Sequence, residues 1–306
     1  MSACPGLWAV VINWNGGSLN LDCLASLVSC GLPPERIVFV DNASDDGSLE
    51  GVRAAHGGLV ILENESNLGF GAAANQGAAA ALEAGAELVV YVNNDLTFEE
   101  GCLAALMEYL AERPAVGVVG PRILSAIEPE RVWCAGGRLD YRQNLSTLQG
   151  FGELDGPAYR GSGPVDYVPG CALMIRREAL QTLGGFDAGY FAYMEDVDLC
   201  VCARAAGHAV HLVGHVAAWH RSSSSTGGGY NPRRKYMMGV NSVRLLRKHG
   251  DRRAWASFIL HDILSLPWLL LAGLFRGRGW AVWAKARGIL AGLRGKQVSA
   301  ADASRF

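Results

Sequence analysis

Four short apolar runs constrain the fold more than any other feature: Leu7–Asn13 (LWAVVIN), Arg36–Asp41 (RIVFVD), Leu59–Leu62 (LVIL) and Glu87–Val92 (ELVVYV). None alternates apolar with polar residues. Val- and Ile-rich runs of this kind suit strands buried on both faces. Helical stretches separate them, at Leu19–Cys30, Ser48–His56, Ala72–Ala84 and Glu99–Glu112. Strand–helix alternation at this spacing predicts a parallel sheet with helices on both faces and right-handed crossovers. Val116–Gly120 adds a further strand. The 306 residues are 50% hydrophobic and 18% charged, which supplies a sizeable core and excludes a disordered chain. The length fits one or two domains.

Beyond residue 120 the pattern changes. Gly, Pro, Arg and Gln interrupt every periodicity over 121–165, so irregular hairpins and loops are expected there. Val165–Arg176 reads as a strand that crosses Pro169-Gly170, Glu195–Ala206 as a helix, and His208–Val213 as a short strand. Ser222–Gly229 (SSSSTGGG) reads as a flexible loop, and Pro232–Lys248 as a basic helix.

The net charge of −2 conceals an asymmetry. Residues 1–230 carry 12 Lys and Arg against 26 Asp and Glu, whereas 231–296 carry 14 against two acids, Asp251 and Asp262. An acidic body with a basic, surface-seeking tail follows, and a globally basic nucleic-acid binder does not. Eight cysteines occur without a C-x-x-C pair, mostly inside apolar runs, as expected of buried thiols in a reducing compartment. Cys200 and Cys202 give only a weak metal signal. Met1–Leu7 lacks a basic start and Trp8–Ile12 is too short for a secretory signal, so a cytoplasmic body is expected.

In a doubly wound sheet, ligands bind beyond the carboxyl ends of the strands. Four polar clusters fall there: Asn13-Trp14-Asn15, Asp41-Asn42-Ala43-Ser44, Glu63-Asn64 and Asn93-Asn94-Asp95. A carboxylate at the second can accept hydrogen bonds from a nucleobase or ribose, although loop and helix-cap chemistry explains Asp46 and Ser48 equally well. Asn67–Asn75 (NLGFGAAAN) offers glycines and helix N–H groups to an anion, but it follows the third strand, so the dinucleotide fingerprint does not fit. Asn93-Asn94-Asp95 can hold Mg²⁺ or Mn²⁺ against a diphosphate, or form an ordinary strand-to-helix turn. In Phe191–Leu199 (FAYMEDVDL) three acids open a helix behind an apolar patch; they either complement the helix dipole or provide a general base. His220 follows an apolar strand and reads as structural unless it meets Asp95.

These pieces, in this order, resemble a family 2 glycosyltransferase of the GT-A fold. The carriers are VVINWNGG, VDNASDDGS, NLGFGAAANQG, YVNND, PGCALMIRREAL, GGFDAGYFAYMEDVDLCVCARAAG and a later WH before a Ser/Thr-Gly loop, together spanning roughly 7–250. The branch they resemble is the rhamnosyltransferase-like enzymes of bacterial cell-surface polysaccharides. The resemblance implies an α/β, Rossmann-like, mostly parallel sheet with flanking helices. It implies a GT-A catalytic domain over 1–230, with a nucleotide-sugar half to about 120 and an acceptor half to 230, followed by a helical extension over 231–306. It places Asn13, Asn15, Asp41 and Asn42 around the nucleotide base and ribose. It places Asn67, Gly71 and Asn75 at the nucleotide and diphosphate, with Asn94 beside the donor. Asn93-Asn94-Asp95 matches the D-x-D metal motif with Asp95 as the retained carboxylate; Asn93, replacing the first Asp, is a weaker neutral ligand. His220 matches a later metal-completing His. Glu195-Asp196 matches the E-D motif, with Asp196 as the expected base and Glu195 as the alternative.

The implied activity is inverting transfer of a sugar, rhamnose from dTDP-rhamnose or a UDP-hexose, to a hydroxyl of a lipid-linked or polysaccharide glycan, with Mg²⁺ or Mn²⁺. Two rivals stand beside it. A nucleotidyltransferase would show a basic Gly-rich loop where this chain has Asn15-Gly16-Gly17-Ser18. A non-catalytic nucleotide-sugar-binding scaffold is favoured only by Asn93. Trp255–Phe275 approaches transmembrane length, but its His261, Asp262 and Pro267 favour an amphipathic helix in the membrane interface, a central Asp costing roughly 2.5–3.5 kcal/mol on insertion. Arg276, Arg278, Lys285, Arg287, Arg294 and Lys296 follow with Trp280 and Trp283, which suits the inner face of the plasma membrane. Helices packed on the catalytic body or on a second copy are the alternative.

Overall fold

The computed structural model describes every residue except 1–3, 5, 143, 222–230, 276 and 304–306. The Ser222–Gly229 loop and Arg276 therefore lie outside the described residues. Each apolar run forms a strand within a residue or two of its expected limits: β1 (Leu7–Asn13), β2 (Ile37–Asp41), β3 (Val60–Glu63) and β4 (Leu88–Asn93), separated by α1 (Leu19–Ser29), α2 (Ser48–Ala55) and α3 (Phe70–Glu83). Next come β5 (Leu96–Phe98), α4 (Cys102–Ala111), β6 (Val116–Ser125), and three short strands, β7 (Val132–Cys134), β8 (Gly137–Leu139) and β9 (Ser146–Leu148). The body closes with β10 (Gly163–Pro164), β11 (Ala172–Arg176), α5 (Arg177–Leu183), α6 (Glu195–Ala205) and β12 (Ala209–His220).

The main sheet runs β10-β12-β6-β11-β4-β1-β2-β3. β1, β2, β3 and β4 pair in parallel, and β11 enters antiparallel between β4 and β6. The order reverses at β1, which has β2 on one side and β4 on the other, so a crevice opens at the carboxyl ends of β1 and β4. One core lies on each face of the sheet. Val10, Val38, Tyr91 and Leu173 point to one; Val11, Phe39, Val92 and Met174 point to the other. Alternation within continuous apolar runs is what a two-sided sheet requires.

Two strands differ from expectation. The strand expected over Val165–Arg176 begins only at Ala172. Pro169 has no N–H to give a ladder, and the Gly170 N–H is directed to the Asp196 carboxylate instead, 2.9 Å away. Conversely, the strand expected over His208–Val213 continues to His220 through an irregularity between Val213 and Ala217. Its far end pairs with β5, His220 opposite Leu96.

The C-terminal residues form α7 (Pro232–His249), α8 (Arg252–Phe258), a π-helical turn (Ile259–Ile263), α9 (Leu266–Phe275), α10 (Gly279–Leu293) and α11 (Ala300–Ala303). α7 and α10 meet at glycines: a methyl group at Gly288 would stand 2.1 Å from the Tyr236 carbonyl oxygen, and one at Gly239 2.6 Å from that of Lys285. The expected single helix over Trp255–Phe275 is interrupted by the π turn, where Asp262 turns inward. Asp262 is fully buried, pairs with the equally buried Lys285 of α10, and accepts from the Asn144 N–H at 3.3 Å. Removing one partner of such a pair leaves an uncompensated buried charge. Asp262→Ala is expected to cost about 3–5 kcal/mol of stability in denaturant unfolding, and the double change Asp262→Leu with Lys285→Met markedly less.

Candidate active site

The four polar clusters expected beyond the strands gather on one edge, and hydrogen bonds join them. Asn13, fully buried at the end of β1, is the hub. Its Nδ2 lies within reach of Asp41 Oδ1 (2.8 Å), Ser48 Oγ (2.9 Å) and Ser44 Oγ (3.0 Å). Its Oδ1 accepts from Asn94 Nδ2 at 2.7 Å and the Gly16 N–H at 3.1 Å. One amide thus ties the ends of β1, β2 and β4. Gly16 is required there, because a Cβ would stand 1.9 Å from Asn94 Nδ2. Asn15 is exposed and exchanges hydrogen bonds with Asp45, both at 2.9 Å.

The second knot centres on Asn42. Its Nδ2 donates to Asn67 Oδ1 at 2.9 Å, and its Oδ1 accepts from the Leu68 N–H at 3.0 Å. Asn67 also accepts from the Gly69 N–H at 2.8 Å, which fixes the turn into α3. Gly69 has φ +83, and a Cβ would approach the Phe191 carbonyl oxygen to 2.4 Å. Gly71 is buried against Phe186. The Asn75 amide exchanges hydrogen bonds with the Phe186 backbone at 2.8 and 2.9 Å.

Asp95 and His220 do meet. His220 Nε2 lies 3.0 Å from Asp95 Oδ1, with side-chain exposures of 7% and 6%. Sequence separation hides this contact; the pairing of β5 with the end of β12 creates it. Trp133 stands edge-on to the imidazole with ring centres 4.5 Å apart, which fixes its plane. The approach lacks hydrogen-bond alignment, and neither ring nitrogen of His220 makes a hydrogen bond among the described residues. Two neighbouring ligands of one ion, each bonded at about 2.1 Å, stand about 3.0 Å apart. A buried carboxylate and imidazole at that spacing therefore fit a divalent cation, with Asn93 two residues before Asp95 at the end of β4.

The helix α6 opens with Glu195 and Asp196. Asp196 is partly exposed and accepts from the N–H groups of Gly170 (2.9 Å) and Val197 (2.8 Å). Burial raises its pKa against the pull of those two donors. Glu195 is buried, with Oε2 lacking a hydrogen bond among the described residues. Burial first, and then the neighbouring Asp196, push its pKa up to about 8. Gly170-Cys171 links this pair to the end of β4: the Cys171 carbonyl accepts from the Asn93 N–H at 3.0 Å, two residues before Asp95, and burial first, then the Asp95 and Asp196 charges, raise the Cys171 thiol pKa. The pattern PGC in the sequence marks this bridge, but only the fold gives it a role.

The weak cysteine signal resolves differently. Cys200 points to the Val168 carbonyl, whereas Cys202 joins Asp198 and His249 in a group whose ligand atoms lie within 4.8 Å. The Lys248 ammonium, 2.7 Å from Asp198, already supplies positive charge there.

Comparison with known proteins agrees with this architecture. The sequence profile of Glycosyl transferase family 2 matches residues 8–184, and the chain belongs to that family. An N-acetylglucosaminyl-diphospho-decaprenol L-rhamnosyltransferase of Mycobacterium tuberculosis is 29% identical over 245 residues, 71% of this chain and 76% of that protein. A pre-mycofactocin glycosyltransferase of the same species is 29% identical over 244 residues, 78% of this chain but 47% of that protein. Among solved structures, a mannosyltransferase of Pyrobaculum calidifontis in complex with GDP-Man and Mn²⁺ superposes with a TM-score of 0.60 at 18% identity, covering 95% of this chain and 88% of the other. GalNAc-T7 with UDP, GalNAc and Mn²⁺ gives 0.61 at 15% identity, over 83% of this chain and 49% of that one. The fold is GT-A, and the protein is a glycosyltransferase.

The raised Glu195 pKa has a consequence for stability. Between about pH 4.5 and 8 the folded state keeps a proton that the unfolded chain has lost, so stability falls as pH rises through that window. Glu195→Gln removes this loss: its melting temperature is expected to gain on wild type steadily from pH 4.5 to 8, and calorimetry at stepped pH checks it.

Proposed function

We propose that this chain transfers a sugar with inversion from a nucleoside-diphosphate donor to a hydroxyl of a lipid-linked glycan, with L-rhamnose from dTDP-rhamnose the first donor to try and UDP-hexoses the next. The observation that carries the reading is the two-residue Gly170-Cys171 link, which joins Asp196 to the end of β4 beside the buried Asp95–His220 pair. On this reading the Asn13 and Asn42 knots shape the donor crevice, and Asn15, Asp41 and Asn67 border the nucleotide. Asp95 and His220, with Asn93 as a weaker neighbour, hold Mg²⁺ or Mn²⁺, which when bound offsets the charge growing on the departing diphosphate. Asp196 takes the proton of the acceptor hydroxyl. The acceptor oxygen forms a bond to the anomeric carbon from the face opposite the diphosphate, as the old C–O bond breaks and its electron pair leaves on the diphosphate oxygen. Asp196 suits the base because it reaches solvent; Glu195 beside it keeps the pocket's charge low. The rhamnosyltransferase relative supports the donor class, and its decaprenol-linked substrate supports the acceptor class.

Asp196→Asn is expected to lower transfer by about 10²–10⁴-fold while leaving nucleotide binding intact. A thermal-shift panel of nucleoside diphosphates and nucleotide sugars, with and without Mn²⁺, reports that binding. A metal-dependent shift lost in Asp95→Ala and His220→Ala supports the assignment. Wild-type transfer by Asp196→Asn rejects the base, and no shift across the panel turns the reading to the scaffold.

The outward face of the C-terminal helices supports a membrane surface as the second partner, on the cytoplasmic side. Arg252–Gly273 is long and apolar enough to cross a membrane by length and composition. Asp262, however, is buried against Lys285 of α10 and accepts from the Asn144 N–H of the body at 3.3 Å, so the segment is tied to both. Leu264, Trp268, Phe275 and Trp280 are 62%, 75%, 92% and 74% exposed, beside Arg278 and Arg287. An apolar face with interleaved Trp and Arg suits an anionic interface, each basic residue there contributing about 1 kcal/mol. The full-length protein is expected to sediment with phosphatidylglycerol-containing vesicles. The triple change Trp268→Ser, Phe275→Ser and Trp280→Ser should abolish sedimentation and keep the fold; equal sedimentation removes this reading.

A further inference from the structure

We propose that Asn241 of α7 is a positioning residue for the transfer reaction: its side-chain amide clamps the backbone of Tyr190–Tyr193 in the shape that presents Glu195 and Asp196. The inference rests on the reading of those two acids as the catalytic pair, and it adds a residue that no motif marks.

The segment entering α6 has an uncommon backbone. Phe191, Tyr193 and Met194 have φ of 61, 72 and 74, left-handed values that residues with side chains adopt only when their surroundings impose them. The turns bring three carbonyl oxygens to one point, where their dipoles repel. Asn241 Nδ2 fills that point, its two hydrogens shared among the carbonyls of Tyr190 (3.0 Å), Ala192 (2.8 Å) and Tyr193 (2.8 Å). The amide orientation follows from chemistry, because Oδ1 turned to three carbonyls would add to the repulsion. Asn241 is fully buried, so bulk water has no access to take its place.

Other contacts make the segment rigid without replacing this one. The Phe70 N–H donates to the Phe191 carbonyl at 2.7 Å, which ties the segment to the donor-side turn. Phe191 packs with Tyr236, Met237 and Val240, all on α7. Arg234, Arg244, Lys248 and His249 of α7 act on side chains, Arg244 lying over the Tyr190 ring, and not on these carbonyls. Arg244 pairs with Asp187 at 2.8 Å, Lys248 and His249 pair with Asp198 at 2.7 Å, and Arg234 lies over the Tyr193 ring. The groups near enough for their charge to act are Asp196 and Asp198 on Glu195, and Asp196 in turn on Cys134, Tyr167, Cys171 and Cys200. None of these holds the carbonyls. Without the amide, the segment relaxes, the first turn of α6 admits water, and the burial that raises both carboxyl pKa values is lost.

The test uses full-length protein with Asn241→Ala, Asn241→Ser (a smaller residue that keeps a donor) and Leu246→Ala, a buried α7 change away from the segment. Hydrogen exchange is the first readout. Asn241→Ala is expected to speed exchange of the 190–197 amides by about tenfold beyond the rest of the chain, with Asn241→Ser intermediate and Leu246→Ala showing no selective change. The second readout is melting temperature against pH. Asn241→Ala should flatten the slope between about pH 4.5 and 8 that Glu195 creates, whereas a merely structural loss lowers the curve in parallel. In transfer assays with dTDP-rhamnose or the UDP-hexose found by thermal shift, kcat should fall about tenfold or more, the acid limb should move to lower pH, and donor KM should stay within about twofold. Uniform exchange together with a parallel melting curve overturns the proposal. If instead the segment opens selectively while Asp196→Asn retains transfer, the clamp stands and the assignment of the base falls.

Discussion

A parallel sheet covered on both faces leaves polar groups one place to act, the ends of its strands. At those ends the backbone ladders stop, so side chains must take over the hydrogen bonding. Asn13 does so for three strands at once, with one buried amide reaching Asp41, Ser48 and Asn94. The crevice depends on this knot. With it, Asp41 is held by Asn13 and the Ser44 N–H, Asn42 is directed sideways to the turn before α3, and Asn94 is occupied, while Asp95 meets His220 at the end of β12.

The apolar runs and their polar ends were legible because both signals are local. Strand limits, the parallel pairing of β1 to β4 and the gathering of Asn13, Asp41 and Asn94 follow from runs of four to seven residues. The meeting of Asp95 with His220 was legible only as a condition, since strand pairing across more than a hundred positions decides it. The strand through Pro169 was misread because a missing proline N–H and a glycine N–H aimed at Asp196 both look, in sequence, like a continuing apolar run. Asn75 is placed at the donor only by the resemblance of NLGFGAAAN, and its bonds to the Phe186 backbone carry no signal in the sequence. Asn241 carries no signal, because an Asn inside a basic helix looks like any solvated position.

Burial gives the two acids at α6 unequal characters. Asp196 keeps two backbone donors and a path to solvent, whereas Glu195 has neither a free path nor a full set of partners. On the proposed reading, this pair divides the work of holding and moving a proton. Here the division comes from one residue facing the Gly170 turn and its neighbour facing the core.

The close contact of α7 with α10 has a further bearing. Because the two helices touch backbone to backbone at Gly239 and Gly288, their spacing is set by main-chain geometry, and side-chain size plays little part in it. Substitutions on the outer faces of α9 and α10 leave that spacing unchanged. Over evolutionary time such a chain can recolour its exposed surface to suit new surroundings while its inner face stays constant. The glycines thus act as a firebreak between adaptation outside and precision within.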